Sequence, residues 1–352
     1  MDLGVIEGFY GPLWSAAERR SVVARLAQAG YGFYHYAPKM DPCVRTAWRQ
    51  PWSDGDAEAL TGLAASCRAL GMRFGIGLTP LDASAPLSER ERADFAARLE
   101  QLNAIGIDEL VLAFDDLRDE APKLAARQAE LVHWAAARSQ ANRIVVCPTY
   151  YSEDPLLDRL FGERPSHYLT DLGAALDSGI GVYWTGPKVC SPRITHTDIA
   201  PIAETLQRRP ILWDNYPVND GPRMSPHLHL RAFTERDPAL AELINGHAIN
   251  PALQPSLSCV PALTLAECYG QGAQYDAASA WQNAADTVLG SALRDQVAHD
   301  LTTLHDEGRA ALSKAQISAL RRTYMGFLHP AAAEIVAWLD GAYAAQAIPT
   351  DA

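Results

Sequence analysis

The sequence has no apolar run long enough to cross a membrane as a helix and no cluster of basic residues. A membrane-spanning helix needs about 20 consecutive, mostly apolar residues. A broad surface for nucleic acid or anionic lipid needs clustered Lys and Arg, and the formal net charge of -12 opposes such a surface. We therefore expect neither a nucleic-acid partner nor a membrane partner, although a small basic pocket is compatible with this composition.

The sequence also lacks the cysteine spacing of a disulfide framework or a zinc site. Its six cysteines are scattered, without a CxxC pair, so we interpret them as reduced thiols and expect no metal and no cofactor. The N-terminal residues "MDLGVIEGFYGPLW" have neither the basic start nor the long apolar stretch of a secretion signal. If they are the native start, a cytoplasmic location is expected.

Eight short strand-like runs are present, separated by segments with helical spacing. Such alternation is typical of α/β proteins with a parallel sheet, and eight strands predict a (β/α)8 TIM barrel. The runs are "LGVIEG", "YGFYHYAP", "MRFGIGLTP", "ELVLAFDD", "RIVVCPTY", "IGVYWTGP", "PILWDN" and "INGHAIN". Beyond Pro251 only helical patterns remain, so we expect a catalytic barrel with its closing helices over residues 1–285 and a C-terminal helical appendage over 286–352.

The stretch "LVLAFDDLRDE", residues 110–120, ends a buried-looking strand in two adjacent carboxylates, Asp115 and Asp116. Adjacent like charges repel, and a carboxylate at the edge of a core is costly unless it is paired or used. Barrel enzymes place their catalytic groups at the carboxyl ends of the strands. Other polar and aromatic residues fall at these ends: Glu7, Gly8, Phe9, Tyr10, Lys39, Asp41, Tyr150, Tyr151, Trp184, Lys188, Trp213, Asp214, Asn215, Asn219, Asp220 and Asn250.

Each of these residues has an ordinary structural explanation when it is taken singly. An Asp pair after a strand is more often a helix cap with a solvated neighbour. Tyr and Trp near strand ends usually belong to the core, and Glu7 could pair internally with a buried cation. Their joint placement at one end of the predicted barrel favours a functional site.

The residue types in this set indicate a site for a sugar. Carboxylates, amides and a lysine bind hydroxyl groups, and aromatic rings stack on the C–H faces of a sugar. Paired carboxylates suggest hydrolysis of a glycosidic bond, but the usual pair lies roughly 5 to 9.5 Å apart on opposite sides of that bond. Sequence neighbours are poorly placed for this, unless the nucleophile is the carbonyl oxygen of a 2-acetamido sugar and both aspartates serve one side of it.

Two other functions stay open at this point. A glycosidase could use a direct carboxylate nucleophile, Glu7 or Asp220, and would not require the acetamido group. A non-catalytic barrel that binds a sugar or a glycopeptide could keep the same pocket. Turnover, and its dependence on the acetamido group, would separate the three.

Six motifs occur in order along the chain: "GVIEGFYGPLW", "YHYAPKMDP", "LAFDDL", "CPTYY", "WTGPKV" and "LWDNYPVND". They closely resemble the catalytic domain of family 84 glycoside hydrolases, the protein O-GlcNAcases and bacterial β-N-acetylglucosaminidases, and the resemblance covers roughly residues 3 to 285. It implies a (β/α)8 barrel, retention of configuration and substrate-assisted catalysis through an oxazoline. The implied substrates carry terminal GlcNAc, including O-GlcNAc on protein Ser or Thr.

The resemblance also implies a role for individual residues. Asp116 corresponds to the general acid and base, Asp115 to the group that polarises the acetamido N–H, and Tyr151 to a hydrogen-bond donor to the acetamido oxygen. Cys147 would lie near the pocket for the acetamido methyl. Contacts with the sugar are implied for Gly8, Phe9, Lys39, Trp213, Asn215, Asp220 and Asn250.

The chain departs from the family pattern after Lys39, where "KMDP" replaces the expected "KDDP" and "CVRTAW" follows. We expect the change at Met40 to affect loop packing or the leaving-group side rather than turnover. The C-terminal helices of the family can bring a partner subunit beside the active site. A homodimer through these helices is therefore an expectation from the resemblance.

Overall fold

The computed structural model describes residues 1–80, 87–116 and 123–344. Residues 117–120 of the stretch around the aspartate pair, and residues 345–352 of the predicted C-terminal segment, lie outside the described residues. Eight parallel strands form a closed barrel in chain order, which confirms the predicted fold. The strands are β1 (Asp2–Glu7), β2 (Tyr31–Tyr36), β3 (Arg73–Leu78), β4 (Glu109–Ala113), β5 (Arg143–Cys147), β6 (Gly181–Trp184), β7 (Ile211–Pro217) and β8 (Gly246–Asn250).

Helices surround the barrel and continue beyond its last strand. Within the described ranges they are α1 (Ala16–Gln28), α2 (Asp54–Ala69), α3 (Glu89–Ile105), α4 (Leu124–Ala136), α5 (Pro155–Phe161), α6 (Tyr168–Ala175), α7 (His196–Thr205), α8 (Gly221–Met224), α9 (Pro255–Gln271), α10 (Ala277–Leu289), α11 (Ser291–Leu301), α12 (Lys314–Met325) and α13 (Pro330–Leu339). None of the helices described is long and apolar enough to cross a membrane.

Local sequence signals set the ends of the barrel helices. Ser15 accepts a hydrogen bond from the backbone N–H of Glu18, whose side chain accepts one from the backbone of Ser15, so this capping box starts α1. Ser88 and Glu91 form the same arrangement at the start of α3. That helix ends at Gly106, whose φ of 80° is readily adopted only by glycine. Such ends turn the chain back toward the next strand.

The C-terminal helices are attached to the barrel through α9, the helix that follows β8. The Glu334 carboxylate of α13 accepts hydrogen bonds from the backbone N–H groups of Ser256 (2.8 Å) and Leu257 (3.0 Å), in the first turn of α9. The expected boundary between residues 285 and 286 falls inside α10. We propose Gly290, which separates α10 from α11, as the division.

Candidate active site

A cavity of about 340 Å³ opens at the carboxyl ends of the barrel strands, within the usual size range of small-molecule sites. Every residue to which the resemblance assigned a role lines it, except Phe9. The lining residues are Gly8, Tyr10, Lys39, Asp115, Asp116, Cys147, Tyr151, Asp154, Leu156, Arg159, Thr185, Lys188, Val189, Cys190, Trp213, Asn215, Val218, Asp220, Arg223, Met224 and Asn250.

Both carboxylates of the aspartate pair line this cavity, although they are sequence neighbours. In an extended strand, successive side chains point to opposite faces. Here β4 has already ended at Ala113, and Asp116 adopts a φ of 57°, in the left-handed region. Asp enters this region more readily than most residues. The turn after β4 therefore brings two adjacent carboxylates to one cavity.

Asp115 is held by a buried cation through one oxygen, and its other oxygen has no donor among the described residues. Its Oδ2 accepts a hydrogen bond from Lys39 Nζ in an ion pair whose two side chains are almost fully buried. Its Oδ1 is buried and has no hydrogen-bond partner within residues 1–80, 87–116 and 123–344. An unsatisfied buried carboxylate oxygen is unfavourable by itself, so its presence indicates a missing donor. A ligand with an N–H or O–H group could supply that donor.

Asp116 is partly exposed at the cavity and is held by two tyrosines. Tyr10 donates a hydrogen bond from its hydroxyl to Oδ2 (2.7 Å), and Tyr151 donates one to Oδ1 (3.2 Å). Arg45 Nη1 donates to the hydroxyl oxygen of Tyr10 (2.8 Å). This chain of donors fixes the direction of the Asp116 carboxyl group.

The pKa of Asp116 is raised above its ordinary value. Loss of solvation is the main cause and the negative charge of Asp115 adds to it, whereas Lys39, the Tyr10 hydrogen bond and Arg45 oppose it. A raised pKa keeps a carboxyl group protonated closer to neutral pH. Asp116 is therefore suited to donate a proton.

The amides at the ends of β7 and β8 form one hydrogen-bonded network. Asn250 accepts from the backbone N–H of Gly8 (3.1 Å) and donates to Asn215 Oδ1 (2.9 Å). The same oxygen accepts from Trp213 Nε1 (2.9 Å), and Asn215 Nδ2 donates to the carbonyl of Val189 (2.8 Å). This network fixes the orientation of both amide side chains at the cavity.

Gly8 is needed because the Trp213 indole packs directly on its backbone. A Cβ atom at position 8 would lie 2.2 Å from Trp213 Cζ2, far inside van der Waals contact. Lys39 Nζ lies 5.6 Å from the centre of the Trp213 ring. The indole thus forms one aromatic wall of the cavity, between Gly8 and the buried cation.

The expected wall residue Phe9 does not line the cavity. Its side chain is fully buried, and its ring lies 5.4 Å from that of Trp14. The chain keeps an alternating pattern beyond β1, so Gly8 and Tyr10 face the cavity while Phe9 points away. Strand alternation alone would have selected Tyr10. Its backbone N–H also donates to Asp220 Oδ2 (2.7 Å), which links the loops after β1 and β7.

Glu7 is not available as a nucleophile. Its carboxylate is fully buried outside the cavity, where Arg19 of α1 donates to it from Nη2 (2.6 Å) and the Tyr34 hydroxyl also donates to it. This is the internal pairing that the sequence left open. The direct-nucleophile alternative is therefore wrong for Glu7, and it is confined to Asp220.

The residues of the "KMDP" motif differ in their position relative to the cavity. Lys39 lines the cavity, Met40 is 53% exposed and does not line it, and Asp41 is buried. The Asp41 carboxylate accepts hydrogen bonds from the hydroxyl of Tyr36 (2.6 Å) and from Trp52 Nε1 (2.9 Å). The change to Met40 thus leaves both the cavity and this loop contact intact.

Other proteins resemble this chain in both sequence and fold. The chain is 31% identical to the protein O-GlcNAcases of Mus musculus and Rattus norvegicus over 278 residues, which are 76% of this chain and 30% of each relative. The chain thus spans less than a third of the length of these curated relatives. A mutant of the O-GlcNAc hydrolase of Thermobaculum terrenum matches with a TM-score of 0.78 and 28% identity, over 96% of this chain and 80% of that chain.

The sequence profile of the beta-N-acetylglucosaminidase family matches residues 3–305. The match includes β1 from Leu3 and the whole of the other seven strands, and it extends past α11, beyond the region in which the six motifs lie. Together with the barrel and the paired aspartates, it confirms the resemblance to family 84 glycoside hydrolases. The chain belongs to the beta-N-acetylglucosaminidase family.

Proposed function

We propose that the protein is a retaining exo-β-N-acetylglucosaminidase that hydrolyses terminal GlcNAc by substrate-assisted catalysis. One observation carries this proposal: the buried Oδ1 of Asp115 lacks a donor among the described residues, beside a second carboxyl group with a raised pKa. The acetamido N–H of a bound sugar would supply the missing donor. Asp116 would then face the glycosidic oxygen.

The proposed reaction has two steps. In the first, the acetamido carbonyl oxygen attacks the anomeric carbon while Asp116 protonates the departing oxygen, and Asp115 stabilises the positive charge that develops on the acetamido group. An oxazolinium ion, the N-protonated oxazoline, results. In the second, the Asp116 carboxylate accepts a proton from water, the water oxygen attacks the anomeric carbon, and the ring opens with retained configuration. The Tyr151 hydroxyl, which donates to Asp116 in the structure, would donate to the acetamido oxygen instead once the sugar is bound.

The remaining lining residues suit the sugar itself. We propose that Lys39, Asn250 and the Gly8 carbonyl bind its hydroxyl groups, and that Asp220 binds those farthest from the scissile bond. Asn215, fixed by its contacts with Trp213 and Val189, would orient the acetamido group. Trp213 would pack against the C–H face of the sugar. Cys147, buried at the end of β5 beside the aspartates, would contact the acetamido methyl.

O-GlcNAc on protein Ser or Thr is the proposed substrate class, together with GlcNAc-bearing glycopeptides and glycosides. The names of the mouse and rat relatives and of the bacterial hydrolase support this choice. Two other functions compete with this one. Direct attack by Asp220 would not require the acetamido group, and a binding protein would bind the sugar without cleaving it.

Comparing an aryl β-N-acetylglucosaminide with the matching aryl β-glucoside tests the proposed function. The two substrates differ only at C2, where the glucoside has a hydroxyl in place of the acetamido group. We expect cleavage of the first alone, because the glucoside offers no nucleophile. Similar rates on both would support Asp220 as the nucleophile, and binding of the first without cleavage would establish a binding protein.

We further propose a homodimer formed through the C-terminal helices. Met325, at the end of α12, is 59% exposed, and Leu328, in the following turn, is fully exposed. Exposed apolar side chains three residues apart in the chain suit an interface between subunits. We expect the molar mass in solution, measured by light scattering, to be twice that of the chain, and Leu328→Glu to lower it to one chain. A monomeric unsubstituted protein would overturn this proposal.

The cellular setting is also a proposal. All six cysteines are free thiols, and four of them are buried, which suits a reducing compartment such as the cytoplasm. The net charge of -12 argues against nucleic acid and anionic membranes as partners. Reaction of the unfolded, freshly isolated protein with a thiol reagent would count the free cysteines, and paired cysteines would contradict a reducing compartment.

A further inference from the structure

The outer part of the cavity carries three exposed cations on consecutive barrel loops. Arg159 lies on α5 after β5, Lys188 follows β6, and Arg223 lies on α8 after β7. They occupy one side of the cavity mouth, because these three strands are neighbours in the barrel.

Two of these cations have no anionic partner among the residues that the structure describes. Lys188 Nζ lies 3.7 Å from Asp154 Oδ1, which offsets its charge. Arg159 and Arg223 form neither a hydrogen bond nor an ion pair with any residue in the described part of the chain. The two guanidinium groups are therefore available to an anionic ligand, at a cavity that Asp154 and Asp220 also line.

The inner part of the cavity differs from the mouth in charge. There Lys39, the cation among the described lining residues, is already paired with Asp115, and Asp116 adds a second carboxyl group. An uncharged sugar with hydroxyl groups fits that inner part. The group attached to the anomeric oxygen must leave past the mouth, and so past the arginines.

We propose that Arg159 and Arg223 form an aglycone subsite that favours acidic side chains next to the glycosylated Ser or Thr. A guanidinium binds a carboxylate through paired hydrogen bonds, and an exposed arginine keeps this ability at any physiological pH. The preferred substrate is therefore an acidic polypeptide segment. This inference rests on the proposed function, because it concerns the leaving group of the same site.

Three O-GlcNAc peptides that differ only in the two residues flanking the modified Ser provide the test. These residues are both Glu, both Gln or both Lys. We expect kcat/KM to fall in that order, with Glu exceeding Lys by about 3- to 10-fold at low salt, since exposed charge pairs contribute modestly. The ratio should approach one at about 0.5 M salt because exposed charges are screened.

A double variant and a control variant test whether the preference for acidic peptides depends on Arg159 and Arg223. Arg159→Gln/Arg223→Gln should bring the Glu-to-Lys ratio close to one. Arg193→Gln is the matched control, because Arg193 is an exposed cation in the loop after β6 that does not line the cavity. It should keep the ratio of the unsubstituted protein. A ratio that survives in the double variant, or that falls equally in the control, would overturn the assignment.

An uncharged aryl β-N-acetylglucosaminide separates this inference from the proposed function. Cleavage of that substrate together with equal rates on all three peptides would remove the acidic subsite and leave the hydrolase in place. Absence of cleavage of the aryl glycoside and of every peptide would remove both.

Discussion

Asp116→Asn is expected to slow the hydrolysis of an O-GlcNAc serine peptide by about 10²- to 10⁴-fold, the usual contribution of a general acid. A serine alkoxide is a poor leaving group and needs a proton as the bond breaks. Formation of the oxazoline from an aryl glycoside with a strongly acidic phenol needs no such proton, so it should be slowed far less. Single-turnover rates, which isolate this first step, should be compared on the two substrates.

The substitution preserves the size of the side chain and one oxygen that can accept from Tyr10 or Tyr151. A large and selective loss would thus reflect the missing proton rather than a collapsed site. Added azide should raise the turnover of the variant on the aryl substrate, because this anion attacks the oxazoline without a general base. Equal losses on both leaving groups would remove Asp116 from the acid role.

The pH profile provides a second readout of the same group. Because the pKa of Asp116 is raised, its acid form should persist to higher pH than that of an ordinary Asp, and kcat/KM should fall as the pH rises through that pKa. The Tyr10 hydroxyl stabilises the ionised form, so Tyr10→Phe should move this alkaline limb to higher pH. A shift to lower pH would contradict the assigned hydrogen bond.

The barrel and most of the site could be predicted because both depend on regular features of the sequence. Parallel strands bring their carboxyl ends to one edge, so residues such as Lys39, Asp115 and Asn250 converge although they are far apart in the chain. The positions of the strand ends in the sequence were therefore enough to predict that these residues lie together. The choice between Phe9 and Tyr10 required the alternation of side chains beyond β1, which the motif alone did not provide.

Contacts that depend on loop conformation could not be predicted. Arg45 reaches the Tyr10 hydroxyl from the loop after β2, and no spacing in the sequence indicates this. The left-handed conformation of Asp116, which turns it toward the cavity beside Asp115, is likewise a property of the folded chain. The absence of an ionic partner for Arg159 and Arg223 among the described residues is also a property of the folded chain that no spacing in the sequence indicates.

Asp115→Asn is expected to lower kcat/KM by about 10²- to 10³-fold on good and poor leaving groups alike, as removal of one preorganised electrostatic group typically does. The acetamido oxygen must attack the anomeric carbon whatever group departs, and the positive charge that develops on the acetamido nitrogen is stabilised by the Asp115 carboxylate. A neutral amide cannot provide this charge. Rates on the serine peptide and on the aryl glycoside should therefore fall together, unlike those of Asp116→Asn.

Asp115→Asn also removes the ion pair with Lys39, which is expected to lower the stability of the variant. Both side chains of the pair are almost fully buried, and removing one partner of a buried pair costs about 3–5 kcal/mol. The unfolding temperature of Asp115→Asn should accordingly fall. Rates should be measured well below that temperature, on protein whose circular dichroism matches that of the unsubstituted chain.

A binding measurement distinguishes charge stabilisation from a general loss of structure. A stable bicyclic thiazoline analogue of the oxazoline carries its ring nitrogen where the acetamido nitrogen would lie, whereas GlcNAc itself has no developing charge. Asp115→Asn should weaken binding of the analogue, measured by calorimetry, much more than binding of GlcNAc. If both ligands lose affinity equally, the carboxylate acts by shaping the site together with Lys39, and its role in stabilising the charged intermediate is wrong.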